Sequence, residues 1–170
     1  MGKLEVSSGI TGFKRRALLW LVLAALASSE MTSLATPAFA RVITTRTARR
    51  HHVVILIDSD DDKVMGHAIS YSLSLARAYA EKHETVQIEI VANGSGIKLF
   101  RDDTSSLQQP LAALRRMMPD IVFSMCDASR QLAQEREGHP INPIQGARLV
   151  PFGIGRIAEL QETGWAYIHG

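Results

Sequence analysis

The run VVILIDSDDDKVMGHAISYSLSLARAY, residues 53–79, decides how the rest of the chain is read. Val53 to Ile57 is apolar and mostly β-branched with no polar alternation, the pattern of a strand buried on both faces. It stops at Asp58, Asp60, Asp61 and Asp62. From Lys63 to Lys82 the period changes, with Met65, Ala68, Ile69, Ser72, Leu73, Ala76 and Ala80 recurring at helical spacing. The carboxylates between the two segments suit a helix start, because they cap free N–H groups and face the positive end of the helix dipole. A metal reading of the same acidic loop is weaker, since it lacks the spacing of a calcium loop.

Working outward, the strand-then-helix unit repeats. Val86 to Ala92 reads as a second strand ending at Asn93-Gly-Ser-Gly96. Ile97 to Phe100 follows as a short helical turn and Leu107 to Met118 as a helix stopped by Pro119. Ile121 to Met125 is a third strand, and Asp127 to Glu137 a helix closed by Gly138 and Pro140. Arg148 to Phe152, Gly155 to Thr163 and Trp165 to His169 give a fourth strand, a fourth helix and a last short strand. This order predicts an α/β fold: a three-layer α/β/α sandwich with a mostly parallel five-stranded sheet, covered on both faces.

Residues 1–40 read as an export signal rather than as part of the domain. Lys14, Arg15 and Arg16 precede the apolar run Ala17 to Ala27, and Ala38-Phe39-Ala40 is a small-x-small cleavage site. The run is shorter than the ~20 residues that span a bilayer, so cleavage after Ala40 and a periplasmic location are expected, with no stable membrane insertion afterwards. Of the 19 Lys+Arg and 17 Asp+Glu, four and two lie in residues 1–40, which leaves 15 of each in the remainder. That neutral balance argues against a nucleic-acid partner. Residues 41–50, with Arg46, Arg49 and Arg50, form a basic arm, and residues 51–170 suffice for one compact domain.

In open α/β sheets ligands gather beyond the carboxyl ends of the strands, so the segments after each strand are the places to look. The single cysteine, Cys126, follows the third strand directly and stands at the start of a helix, where N–H groups and the dipole favour a thiolate. Placement makes it a candidate nucleophile; a small buried hydrophobe is the alternative. Arg130, four residues on, would add positive charge, whereas Asp127 would oppose it. Asn93, Gly94 and Gly96 can form a nest of N–H groups that holds an anion, with a plain turn as the alternative. Gly153 and Gly155 belong to a G-x-G-x-x-A run ending at Ala158, a weak nucleotide signal, because glycines at a tight strand-to-helix turn need no ligand. The six histidines show no metal-ligand spacing, so neither a metal nor any other cofactor is expected.

Taken in order, HHVVILIDSDDDKVMGHAISYSLSLARAY, VQIEIVANGSGIKLF, IVFSMCDAS and RLVPFGIGRIAELQETGWAYIHG resemble the DsrE/DsrF-like family over residues 51–170. The resemblance implies a DsrE-like domain that assembles into homo-oligomers, trimers or hexamers. It also implies a sulfur-handling role in which the cysteine after the third strand carries sulfur as a persulfide, with a sulfur donor or acceptor protein as partner. Cys126 is the matching position. The export signal departs from the cytoplasmic relay members of that family.

Overall fold

The computed structural model describes residues 48–170; the export-signal residues and most of the basic arm lie outside the described residues. Five strands form one sheet: β1 (Arg50–Ile57), β2 (Thr85–Ala92), β3 (Val122–Cys126), β4 (Ala147–Val150) and β5 (Ala166–His169). All four pairings are parallel, and the order across the sheet is β4-β3-β2-β1-β5. The helices are α1 (Asp62–Ala80), α2 (Gln108–Met117), α3 (Asp127–Glu137) and α4 (Gly153–Glu162), with a 3-10 helix at Gly94–Phe100. No helix among the described residues is long and apolar enough to cross a membrane.

The handedness of parallel crossovers explains the layers. From β1 to β4 the chain moves steadily in one direction, so right-handed connections put α1, α2 and α3 on one face. The last connection runs back past three strands to the far edge, which sends α4 to the other face. Strand alternation divides the core accordingly. Val53, Ile55, Ile57, Ile88 and Ile90 pack with Met65, Leu111 and Leu114, while Val54, Leu56 and Val91 pack with Ile157 and Leu160. One face therefore carries three helices and the other only α4.

Local chemistry sets the boundaries. Asp61 caps α1, its carboxylate accepting from the Lys63 and Val64 N–H groups at 2.9 and 3.1 Å. Met118 leaves the helical region, at φ −128° and ψ 79°, because Pro119 follows it, which ends α2. Gly138 takes a left-handed conformation, φ 74°, to close α3.

Most boundaries move by one to three residues from the sequence reading, and three of these shifts bear on the site. β1 begins at Arg50 rather than at the apolar run, because Arg50 to His52 pair with Thr85 to Gln87; the arm is shorter by that residue. β3 includes Cys126, which pairs with Val150. Helix α4 starts at Gly153, so Gly153 and Gly155 lie in its first turn and not in an open loop.

Candidate functional site

β3 and α3 meet at Cys126 with no intervening loop. The strand's last residue is also the helix cap, at φ −66° and ψ 116°, and its sulfur accepts a hydrogen bond from the Ser129 N–H at 3.5 Å. The segment after β3 turns to the three-helix face and the segment after β4 turns to the α4 face. Cys126 therefore stands where adjacent strands send their connections to opposite sides, the topological switch point at which open α/β sheets form a crevice.

Three strand ends converge there. A Cβ built on Gly153 would lie 3.1 Å from Cys126 Cβ and 2.8 Å from Asn93 Oδ1, so the first turn of α4 passes against both side chains. A larger residue there would have to push both side chains aside. The Gly94 N–H donates to Ser129 Oγ at 3.0 Å, and the Ala128 N–H donates to the Pro151 carbonyl at 3.2 Å. These bonds tie the segments after β2 and β4 to the start of α3. Cys126 itself is 3 % exposed.

Two sequence expectations are corrected by the hydrogen bonding. Asn93, Gly94 and Gly96 do not form an open anion nest, since their three N–H groups are already donated. Asn93 N–H goes to the Ile57 carbonyl, Gly94 N–H to Ser129, and Gly96 N–H to the Asn93 carbonyl. Gly96 is required for packing: a Cβ there would fall 2.2 Å from the Ile57 carbonyl oxygen. Arg130 is likewise no partner of the thiol. Its guanidinium donates to Asp127 at 2.7 Å, to Gln134, and to the Ile141 carbonyl at 3.2 Å, so it clamps α3 to the segment that follows Gly138. Asp127 is held by Arg130 and by Gln131.

The structure adds a cluster that sequence reasoning missed. Glu89, in the central strand β2, is 1 % exposed and faces α4. Its Oε1 accepts from Ser124 at 2.7 Å, from Arg148 at 2.9 Å and from Arg156 Nε at 2.9 Å, and its Oε2 accepts from Arg156 at 2.9 Å. Burial pushes the Glu89 carboxyl up, but the bonds from Arg156, Ser124 and Arg148 outweigh it and hold the group below its ordinary range. The same pairing raises Arg156. This cluster fastens β2, β3, β4 and the first turn of α4 to one another directly behind the crevice. A carboxylate between Ile88 and Ile90 in the strand VQIEIVA was the signal available in the sequence.

A cleft of about 480 Å³ opens between the 3-10 helix and α3, with Ser129 on its lining. Ile97, Leu132 and Ala133 supply apolar wall, and Lys98, Arg101 and Arg136 supply cations. Arg101 is saturated: Asp103 accepts at 2.9 and 2.6 Å and Glu137 at 2.7 Å through both oxygens. The Arg101 hydrogen bonds pull the Asp103 carboxyl down to about 2 and lower Glu137 as well. Asp103, Glu137 and His139 bring ligand atoms within 4.8 Å of one another, but the guanidinium already holds both carboxylates. A cation there would have to displace it. Three carboxylates of the acidic loop after β1 are committed, Asp61 to the α1 cap, Asp62 to Lys98 at 3.2 Å and Asp58 to His169 at 3.0 Å, while Asp60 lines the cleft.

No protein-family model matches the chain. No curated protein matches it. Among solved structures, it is similar to a protein of unknown function, MTH1491, from Methanobacterium thermoautotrophicum. The two are 28 % identical, with a TM-score of 0.59, over 71 % of this chain and 99 % of that one. The likeness extends over nearly all of the other protein and agrees with the parallel α/β fold described above.

Proposed function

We propose that the chain is an exported, periplasmic sulfur carrier of the DsrE-like kind, in which Cys126 accepts a sulfane sulfur and passes it to an acceptor thiol. The observation that carries this reading is the position of the single cysteine: at the switch-point crevice, capping α3, with the Ser129 N–H directed at Sγ. That N–H offers a hydrogen bond to sulfur in its anionic form, as thiolate or as persulfide. In the forward step the Cys126 thiolate attacks the outer sulfur of a donor persulfide, R–S–SH. A new S–S bond forms on Cys126, the donor S–S bond breaks, and the donor leaves as R–S⁻ with the electron pair. The Cys126 persulfide then gives up the same sulfur to an acceptor thiolate by the reverse of that exchange.

The test is to incubate the chain beginning at Arg41 with inorganic polysulfide and weigh it. The reading expects one added sulfur, removed by a reductant and missing in Cys126→Ala. A wild-type protein that gains no sulfur from polysulfide or from a small persulfide refutes it.

The burial of Cys126 favours a second reading, a non-enzymatic oligomeric binding module in which the thiol is structural. The two readings separate on thiol reactivity. A carrier must open at the crevice, so a thiol reagent labels the native protein at a rate set by local opening; a structural thiol reacts only on global unfolding. Self-association belongs to both readings. It is supported by Leu149, Phe152 and Ile154, which stand 42 %, 68 % and 55 % exposed along the turn from β4 into α4.

A further inference from the structure

The cleft beside the thiol has the composition of a ligand site, and the geometry of α3 limits what can fill it. Cys126, Ser129, Ala133 and Arg136 are spaced at i, i+3, i+7 and i+10, so they lie along one face of the helix. Ser129, Ala133 and Arg136 of that set line the cleft. Ser129 lines the cleft, its hydroxyl accepting from the Gly94 N–H, and donates its own N–H to Cys126 Sγ, so one residue links the cleft to the sulfur. At 1.5 Å per residue, Ser129 and Arg136 are roughly 10 Å apart along the axis, about the extended length of three residues of peptide.

The charges in the cleft are unequally committed. Arg101 is neutralised by Asp103 and Glu137, and Lys98 donates to the Asp60 carbonyl at 3.0 Å and to Asp62 at 3.2 Å. Arg136, in the last turn of α3, forms no ion pair among the described residues. The Arg136 guanidinium, the apolar wall of Ile97, Leu132 and Ala133, and the thiol one helical turn before Ser129 define the complement, with the Asp60 carboxylate on the same lining setting a limit on how much negative charge it takes. It is a short, flexible molecule with a carboxylate at one end, an aliphatic middle and sulfur at the other.

We infer that the cleft is the docking site of the sulfur donor, and that the donor is a carboxylate-bearing thiol persulfide of di- or tripeptide size, anchored at Arg136. This rests on Cys126 being the persulfide carrier. The anchored donor presents its outer sulfur past Ser129 to the Cys126 thiolate; the S–S bond of the donor breaks, its inner sulfur departs as thiolate, and no external oxidant or reductant enters the step. Arg136 touches the donor's carboxylate and leaves the reacting sulfurs to Cys126.

The experiment compares wild type, Arg136→Lys and Arg136→Glu in two measurements. The first is binding of S-methylglutathione, which has the carboxylates and cannot transfer sulfur. The second is the rate of sulfur loading from glutathione persulfide and, separately, from inorganic polysulfide, which has no carboxylate. Loss of one charge-assisted hydrogen bond is worth about tenfold in affinity or more. Arg136→Glu should therefore weaken S-methylglutathione binding and slow loading from glutathione persulfide by at least about tenfold, with polysulfide loading unchanged and Arg136→Lys close to wild type. Equal slowing with both donors, or no change with glutathione persulfide, overturns the docking site. If polysulfide loads no sulfur on the wild type, the carrier reading falls instead, and S-methylglutathione binding alone then decides whether the cleft takes such a ligand.

Discussion

Replacing Glu89 by Gln tests the cluster behind the crevice, because it changes charge and almost nothing of shape. In the wild type one carboxylate, 1 % exposed, accepts four hydrogen bonds and neutralises Arg148 and Arg156 together. In Glu89→Gln the amide oxygen keeps some of these bonds, but its NH₂ faces guanidinium donors and the two arginines lose their common counter-charge. Removing one partner from a buried ion pair costs about 3 to 5 kcal/mol. The lower end applies here, since the Arg148 side chain is 50 % exposed and can turn to water.

A loss of about 3 kcal/mol, with a urea slope of about 1.5 kcal/mol/M, moves the unfolding midpoint down by about 2 M. The assay is urea unfolding followed by far-UV circular dichroism, repeated across pH. The sign follows from Glu89 being held below its ordinary value. Its contribution is complete above the unfolded carboxylate range, about pH 4.5, and is lost as the pH falls through the lower folded value. The gap between wild type and variant is therefore constant at neutral pH and narrows in acid. A midpoint shift under about 0.5 M, or a gap that widens below pH 4, would refute the reasoning.

Three further outcomes follow from the packing. Gly96→Ala drives a Cβ to 2.2 Å from the Ile57 carbonyl, a backbone atom with nowhere to go, and should cost about 3 kcal/mol in the same urea titration. Asp61→Ala removes the two-donor cap of α1 and should cost about 1 kcal/mol, measured as a lower thermal midpoint. Phe152→Glu places a charge on the most exposed large apolar side chain and should shift sedimentation towards monomer with the circular dichroism spectrum unchanged; an unchanged sedimentation profile removes this turn from any subunit contact.

The fold was legible wherever burial imposed a pattern. VVILI could be read as a doubly buried strand because both of its faces are in fact covered, and Asp61 could be read as a cap because capping is local. The crevice was legible in outline: Cys126, Asn93 and Gly153 come from three strand ends and do meet. What distance in sequence concealed was the wiring. Arg148 and Arg156 reach Glu89 across 59 and 67 residues, so no spacing rule connects them. Arg130 could be read towards the thiol although Asp127 and Gln134 stand three and four residues away, where helical side chains pair; only its bond to the Ile141 carbonyl, beyond the helix end, had no local signal. Gly94 and Gly96 suggested a loop waiting for an anion; the Gly94 N–H is in fact engaged by Ser129, 35 residues on, and the Gly96 N–H by the Asn93 carbonyl.

The placement of β5 beside β1 sets the order in which the molecule can be assembled. β1 is made first, yet its Val53 to Leu56 edge pairs with Ala166 to His169, the last strand of all. During synthesis that apolar edge waits without a neighbour until residues 166–169 arrive. Closing the sheet is thus the final event and joins opposite ends of the domain, a slow, long-range step. A truncation that removes Trp165 to Gly170 would leave a nearly complete domain with an open, sticky seam, so the short, mostly exposed β5 guards against aggregation out of proportion to its size.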